Sequence, residues 1–374
     1  MIVPSIGDDL DVSTPIVNTF VAHLGQKVRL HVFPMEYPTG GGVISLGSAT
    51  IHSTNWPDPR LRRLVASTLS KIYHEHRTTR FDLIHGLWLF PPGAIAVLAG
   101  GLLGIPSVVS VGGAEVVSIP DICYGGLLSR RGRAVQRQVL WRASAVTGGS
   151  GYILDLARAV TRRPSGYELV PLPVDPMFRP LADLPLLPNA EQPRLLHAAS
   201  LIPVKDQATL LRAFALLLEA LPGATLDIAG EDPFGHRSVL EKLAVELAVA
   251  DRVRFLGRVP HAEMLSHYQQ AGLFLLSSRH ESQAMVVLEA AACGLPTVGA
   301  AVGVVRDLAP ESAIAVSPRD PGAIADAALN LLSDPERLQR MRISALAQVD
   351  RHYATGPVTD RFVRLYTALL AGRS

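Results

Sequence analysis

Short runs rich in β-branched and aliphatic residues alternate with helix-length segments along most of the chain, and this alternation constrains the fold more than any other feature. The runs lie at Lys27–Phe33, Asp82–Leu87, Ser107–Val111 and Ser144–Thr147, then at Arg194–Ala198, Thr225–Ala229, Val253–Leu256, Leu273–Leu276 and Thr297–Gly299. The spacing predicts open parallel sheets with helices on both faces, since a parallel crossover needs a helix-sized connection. One stretch breaks the pattern. Pro164 to Pro193 holds eight prolines in thirty residues, more than a helix or a central strand accommodates, and the hinge between domains is expected there. With 374 residues, too many for one core, the chain reads as two α/β domains, residues 1–180 and 181–355, closed by a helix in residues 356–374.

Leu83 to Ala114 carries no Asp, Glu, Lys or Arg and exceeds the ~20 residues of a membrane span. Its prolines (Pro91, Pro92, Pro106) and seven glycines divide it instead into a strand, a buried helix at Gly93–Leu103 and a second strand. Met1 to Val12 lacks the basic start and apolar run of a signal peptide, so a cytoplasmic location is expected. Two cysteines, Cys123 and Cys293, make no disulfide framework, and no Cys/His spacing is that of a structural zinc site. The net charge of +2 argues against nucleic acid as a partner.

Charge nevertheless divides unevenly, with 17 Lys and Arg against 12 Asp and Glu in residues 1–180, and 18 against 21 beyond. Much of the excess lies in Arg130, Arg131, Arg133, Arg137 and Arg142, and in Arg60, Arg62, Arg63, Lys71, Arg77 and Arg80. These residues form either a solvated helical face or a surface that meets anionic lipid or a phosphorylated acceptor, with peripheral membrane contact as its consequence.

The richest stretch, Ser277 to Pro296, directly follows the run Leu273–Leu276. A helix is expected to open just after Glu281, to carry Glu289, and to end where Gly294 takes the left-handed conformation and Pro296 blocks continuation. The loop then sits at the carboxyl end of a parallel strand, where open α/β sheets bind ligands. The amides of Gln283, Ala284 and Met285 would be unpaired first-turn donors that suit a phosphate. Eight positions along a helix would put Glu281 and Glu289 about 12 Å apart. That is too far for a paired acid and base, and fits two anchors on one long ligand. Plainer readings make Glu281 a partner of the helix dipole and Glu289 a solvated residue. Around Glu289, however, Val286, Val287, Leu288 and three alanines leave little polar surface, and a buried carboxylate needs a partner.

Glu281-x7-Glu289, followed by Ala-Ala-Ala-Cys-Gly-Leu-Pro, resembles the signature of family 4 of the retaining glycosyltransferases. Their fold is GT-B, two Rossmann-like domains with parallel sheets facing a central cleft. Asp82-Leu-Ile-His85, Val170 to Phe178, Ala199 to Phe214, Ile228 to Asp232, Val253 to Val259 and a last helix at Thr359–Leu370 fall in register with the same family. The resemblance implies transfer of a sugar from a nucleotide diphosphate sugar with retention at the anomeric carbon, no cofactor and no obligatory metal. By position, Lys205 would neutralise the diphosphate, and amides of Gln283, Ala284, Met285 and Val286 would hold phosphate and sugar oxygens. Glu281 would contact the transferred sugar, Glu289 the ribose hydroxyls, and the base would lie near Arg258 and Val259.

Two positions depart from the pattern. Ser200 stands where the family usually has an arginine beside the phosphate lysine. Gly112-Gly113-Ala114-Glu115 stands where a histidine-glycine-x-aspartate element usually orients the donor sugar. Glu115 keeps the acidic position and, with His85, is the acceptor-side candidate, although His85 reads equally well as a satisfied strand-end histidine. Near the start, Ile6-Gly7-Asp8 offers one glycine where the family has two, and Gly40 to Gly42 reads as a turn. The expectation is a glycosyltransferase of glycan biosynthesis with an unidentified glycan, lipid-linked or small-molecule acceptor. The alternative is a catalytically silent partner protein that binds a nucleotide sugar; a phosphorylase, hydrolase or epimerase on the same fold comes third.

Overall fold

A computed structural model describes residues 1–6, 15–36, 43–52, 61–161, 166–182 and 192–372. Gly7, Gly40 to Gly42, Arg60 and part of the proline-rich stretch lie outside the described residues. The chain divides into two compact units, Met1–Pro173 with Thr355–Ser374, and Val174–Ala354.

In the first unit the strands β1 (Ile2–Ser5), β2 (His31–Glu36), β3 (Val43–Leu46), β4 (Ala49–His52), β5 (Ile84–Leu87), β6 (Ser107–Val111), β7 (Ala145–Gly148) and β8 (Tyr167–Leu169) form one sheet in the order β3-β4-β2-β1-β5-β6-β7-β8. Only the β3–β4 pair is antiparallel among the described pairings. Val3, Val32, Val108, Val109 and Val146 are fully buried, as expected of strands covered on both faces. The run expected at Lys27–Phe33 starts later, at His31, because the amides of Lys27 and Val28 bond back to Leu24 and close the helix Pro15–Leu24. The charge-free segment is β5, the helix Ala94–Leu103 and β6; among the described residues no helix is long and apolar enough to cross a membrane. The helix Thr355–Ala371 belongs to this unit, with Phe362 fully buried 4.9 Å from the ring of Phe20.

The second unit holds β9 (Arg194–Ala198), β10 (Thr225–Ala229), β11 (Val253–Gly257), β12 (Leu273–Leu276), β13 (Thr297–Ala300) and β14 (Ala313–Val316), all parallel, in the order β11-β10-β9-β12-β13-β14. The chain builds outward from β9 to β11 and then crosses to β12 on the other side, so the topological switch point lies between β9 and β12. The unit begins at Val174, seven residues before the expected boundary. The reason is local: the Val174 amide bonds to the Tyr353 carbonyl at 2.8 Å, and buried Phe178 packs edge-on against His261 and Tyr268.

Candidate functional site

The loops leaving β9 and β12 are clasped at that switch point. After β9 the chain makes a tight turn at Pro203–Lys205, and Asp206, left-handed at φ +51°, caps the helix Gln207–Ala220 through the Thr209 amide. The Ser277 hydroxyl donates to the Lys205 carbonyl at 2.8 Å, and the Arg279 amide to Val204 at 2.8 Å. These bonds hold the lysine backbone against the β12 loop. Its Nζ lies 2.6 Å from Oε1 of Glu281, which also accepts from Ser278 Oγ at 2.7 Å. Behind the pair stands fully buried His197, whose Nδ1 lies 2.9 Å from the Leu275 carbonyl and whose Nε2 has no hydrogen-bond partner among the described residues. Burial above all, and Lys205 after it, push its pKa down to about 4, so the ring stays neutral beside the cation.

The helix opens at Met285, not just after Glu281. Residues 281–284 instead turn Glu281 towards Lys205, with Ala284 left-handed at φ +64° and the Gln283 carbonyl bound by the Val304 amide at 3.0 Å. Glu281 and Glu289 are therefore not two positions on one helix, and the 12 Å spacing does not describe them. The Val287 amide bonds to Ala284, and those of Met285 and Val286 belong to the first turn, whose donors have no partner within the helix itself. The far end is as expected: Gly294 sits at φ +70°, and the Leu295 and Gly294 amides close on Ala290 and Ala291 at 2.9 and 3.0 Å.

Glu289 is 9% exposed and partnered on both oxygens. Oε2 accepts from Tyr268 Oη at 2.8 Å, and Oε1 lies 3.5 Å from His261 Nε2. The bond to Glu289 raises the His261 pKa above 6.5, against burial. The pair's contribution is thus complete below pH 6.5 and fades as pH climbs through the raised value. Arg258 and Val259 follow β11, two strands from β9, with Arg258 exposed and Val259 half-buried. Ser200 Oγ lies 3.4 Å from a Glu231 carboxylate oxygen, and its carbonyl accepts from Gln207.

In the first unit His85 is 2% exposed, with Nδ1 2.6 Å from Tyr366 Oη and Nε2 2.8 Å from Ser110 Oγ, which lies 2.6 Å from Thr147 Oγ1. Burial lowers its pKa to about 3. Both ring nitrogens tie β5, β6 and the helix Thr355–Ala371 together, the contacts of a satisfied strand-end histidine. Glu115 accepts the Leu89 amide at 3.0 Å through Oε1; Oε2 is buried without a hydrogen-bond partner among the described residues, and burial raises the pKa.

Gly112 has a steric explanation. A Cβ there would meet the Trp88 ring at 2.4 Å and Glu115 Oε1 at 2.8 Å, so the indole fills the space that a side chain at 112 would take. Gly113, at φ +133°, follows in a conformation that favours glycine. Gly112→Ala is expected to destabilise the protein by about 1–3 kcal/mol through overpacking, with Trp88→Ala in the same chain relieving part of the loss, as urea denaturation would measure.

The sequence did not single out Ser277, Ser278, His197, His261, Tyr268 or Trp88. His261 and Tyr268 stand seven apart on the helix His261–Gln270, which places them on one face; that spacing was the available signal.

The model of the family described as glycosyl transferases group 1 matches residues 183–348, and that of the glycosyl transferase 4-like domain matches residues 14–173. A D-inositol 3-phosphate glycosyltransferase of Frankia alni is 30% identical over 296 residues, covering 73% of this chain and 71% of that protein. One from Thermomonospora curvata is 32% identical over 182 residues, 46% of this chain and 42% of that protein, so the match spans less than half of its length. Among solved structures, Anabaena Alr3699/HepE in complex with UDP-glucose superposes with a TM-score of 0.75 at 17% identity, covering 98% of this chain and 100% of that one. At such identity the likeness speaks to the fold.

Proposed function

The chain belongs to the group 1 glycosyl transferases, family 4 with the GT-B fold, and from that premise we propose that it moves a sugar from a nucleoside diphosphate sugar to an acceptor with retention of configuration. The observation that carries this reading is the Lys205–Glu281–Ser278 cluster, set at the switch point together with the amino end of the helix Met285–Ala292. A departing diphosphate gains negative charge as the sugar bond breaks, and a fixed ammonium with free amides favours that state over the bound donor. Glu281, steered by Lys205 and Ser278, faces the positive charge that develops on the sugar. Glu289 holds the ribose hydroxyls, with Tyr268 and His261 orienting its oxygens. The base rests near Arg258 and Val259. No metal or cofactor is required in this scheme.

The UDP-glucose bound to the Anabaena protein supports a nucleotide sugar as donor. The family match does not favour the silent-binder alternative. Exposed Arg130, Arg131, Arg133, Arg137 and Arg142, with Trp141 also exposed, support an anionic acceptor, phosphorylated or lipid-linked, and peripheral contact with an anionic membrane face.

Calorimetric titration with UDP, GDP, ADP and their sugars, without added metal, tests the donor site. Glu289→Gln is expected to weaken nucleotide binding about 10- to 100-fold, the loss of a charged hydrogen-bonding partner, with the fold checked by circular dichroism. Unchanged affinity would remove Glu289 from the site. Binding without transfer to any acceptor would return the silent reading, and the product's anomeric proton coupling decides retention.

A further inference from the structure

We propose that His31, His52 and Glu75 form a metal-ion site in the first unit, taking a zinc-class divalent cation on two imidazoles and one carboxylate. His31 opens β2 and His52 closes β4, parallel neighbours paired at His31 with Thr50 and Val32 with Ile51. Continuing that register sets His52 level with Phe33, and alternation along a strand puts His31, Phe33 and His52 on one face. The helix Leu61–Thr79 packs on β2 and brings Glu75 to the same place. The sequence separations of 21 and 23 residues match no ligand motif, so only the fold assembles this set.

Nδ1 of His31 lies 2.8 Å from Nε2 of His52, and Glu75 Oε1 lies 3.8 Å from the other nitrogen of His52. One ligand atom from each residue lies within 4.8 Å of the other two. Ligands 2.0–2.1 Å from a tetrahedral zinc stand about 3.3 Å apart. The imidazoles therefore open by about half an ångström, and Glu75, on a flexible side chain 31% exposed, closes by up to about 1.5 Å from the 4.8 Å that bounds the set. The two rings lie 5.1 Å apart between centroids at 19°, joined by their own hydrogen bond, so a metal enters as they swing out of it; His52 stacks on Phe33 at 4.6 Å and 6°, and His31 tilts on Phe81 at 5.3 Å. A cavity of about 190 Å³, lined by Arg29, His31, Phe33, Ile72 and Phe81 among others, reaches His31 and gives an ion a way in.

Burial first lowers the pKa of both imidazoles and keeps them in the neutral form a metal binds. The Met1 amine adds to it at both, Arg29 acts on His31 and Lys71 on His52, with Glu75 opposing them. Those cations also repel an ion, so the site holds its metal modestly. Occupied, it clips β4 and the helix Leu61–Thr79 to β2.

The test uses the full chain stripped of metal, titrated with Zn²⁺ by calorimetry and with Co²⁺ by visible absorption. The expected result is one equivalent bound, the absorption of a nitrogen-coordinated tetrahedral ion, and a rise in thermal midpoint. Glu75→Gln and His31→Gln are each expected to weaken binding at least tenfold, whereas His74→Ala, on the exposed side of the same helix, leaves it unchanged. Glu75 is partly exposed, so its variant reports even if changes at His52 unfold the unit. No binding, or binding indifferent to Glu75→Gln and His31→Gln, overturns the site and leaves a hydrogen-bonded His31–His52 pair beside Glu75 only.

Discussion

Lys205→Ala is expected to lower turnover about 10²- to 10³-fold, the loss that follows removal of one fixed donor from a developing oxyanion, about 2.7–4 kcal/mol. With Ser200 where the resemblance leads one to expect a second cation, the proposed reading puts more of the leaving-group charge on Lys205. Its backbone is fixed by Ser277 and its ammonium is steered by Glu281. A group held in place before the reaction begins stabilises the transition state with little reorganisation. The loss should therefore fall on kcat more than on KM. A competing effect must be separated: without Lys205, Glu281, at 8% exposure, keeps Ser278 but loses its cation, and stability falls as well. Lys205→Ala paired with Glu281→Gln removes that unpaired charge. If the double variant regains stability but not turnover, the lysine acts on the leaving group. Full turnover in the single variant would make Lys205 an ordinary surface cation.

What the sequence showed clearly was set by short-range rules. Arg194–Ala198, Thr225–Ala229 and Leu273–Leu276 are strands with the expected bounds, because runs buried on both faces are continuous and end sharply. Gly294 is the left-handed helix stop for the same local reason. Legibility failed where tertiary contacts overrode local pattern. The helix expected after Glu281 opens at Met285 because Glu281 is drawn out to Lys205, 76 residues earlier in the chain. Strand Lys27–Phe33 slid to His31 because the preceding helix needed residues to close. His85 carries the same residue type whether it binds a ligand or a neighbour. Its partner Tyr366 stands 281 positions away, beyond any local pattern. Gly112 looked like a lost histidine until the Trp88 ring occupied its space. No pattern within residues 107–115 contains that tryptophan.

Asp227→Ala is expected to cost the second unit about 3 kcal/mol of stability. Asp227 lies in β10, level with Arg254 of β11, and its side chain is 0% exposed. Arg254 donates to both its oxygens at 2.6 and 2.8 Å, and Arg194 of β9 donates through Nε at 2.7 Å. One carboxylate thus bridges three strands. Removing one member of a buried ion pair usually destabilises by 3–5 kcal/mol. Here the arginines are 26% and 59% exposed, so water can take them up, which puts the value at the lower end. Alanine would still leave two guanidinium groups facing each other across an empty site. At about 2–4 °C per kcal/mol for a unit of this size, the second unit's thermal midpoint should fall by about 6–12 °C. Arg254→Met offers the contrast, because Asp227 keeps Arg194 and the loss should be smaller. Equal losses from the two variants would mean that strand packing, and not the bridging carboxylate, sets the stability of this edge.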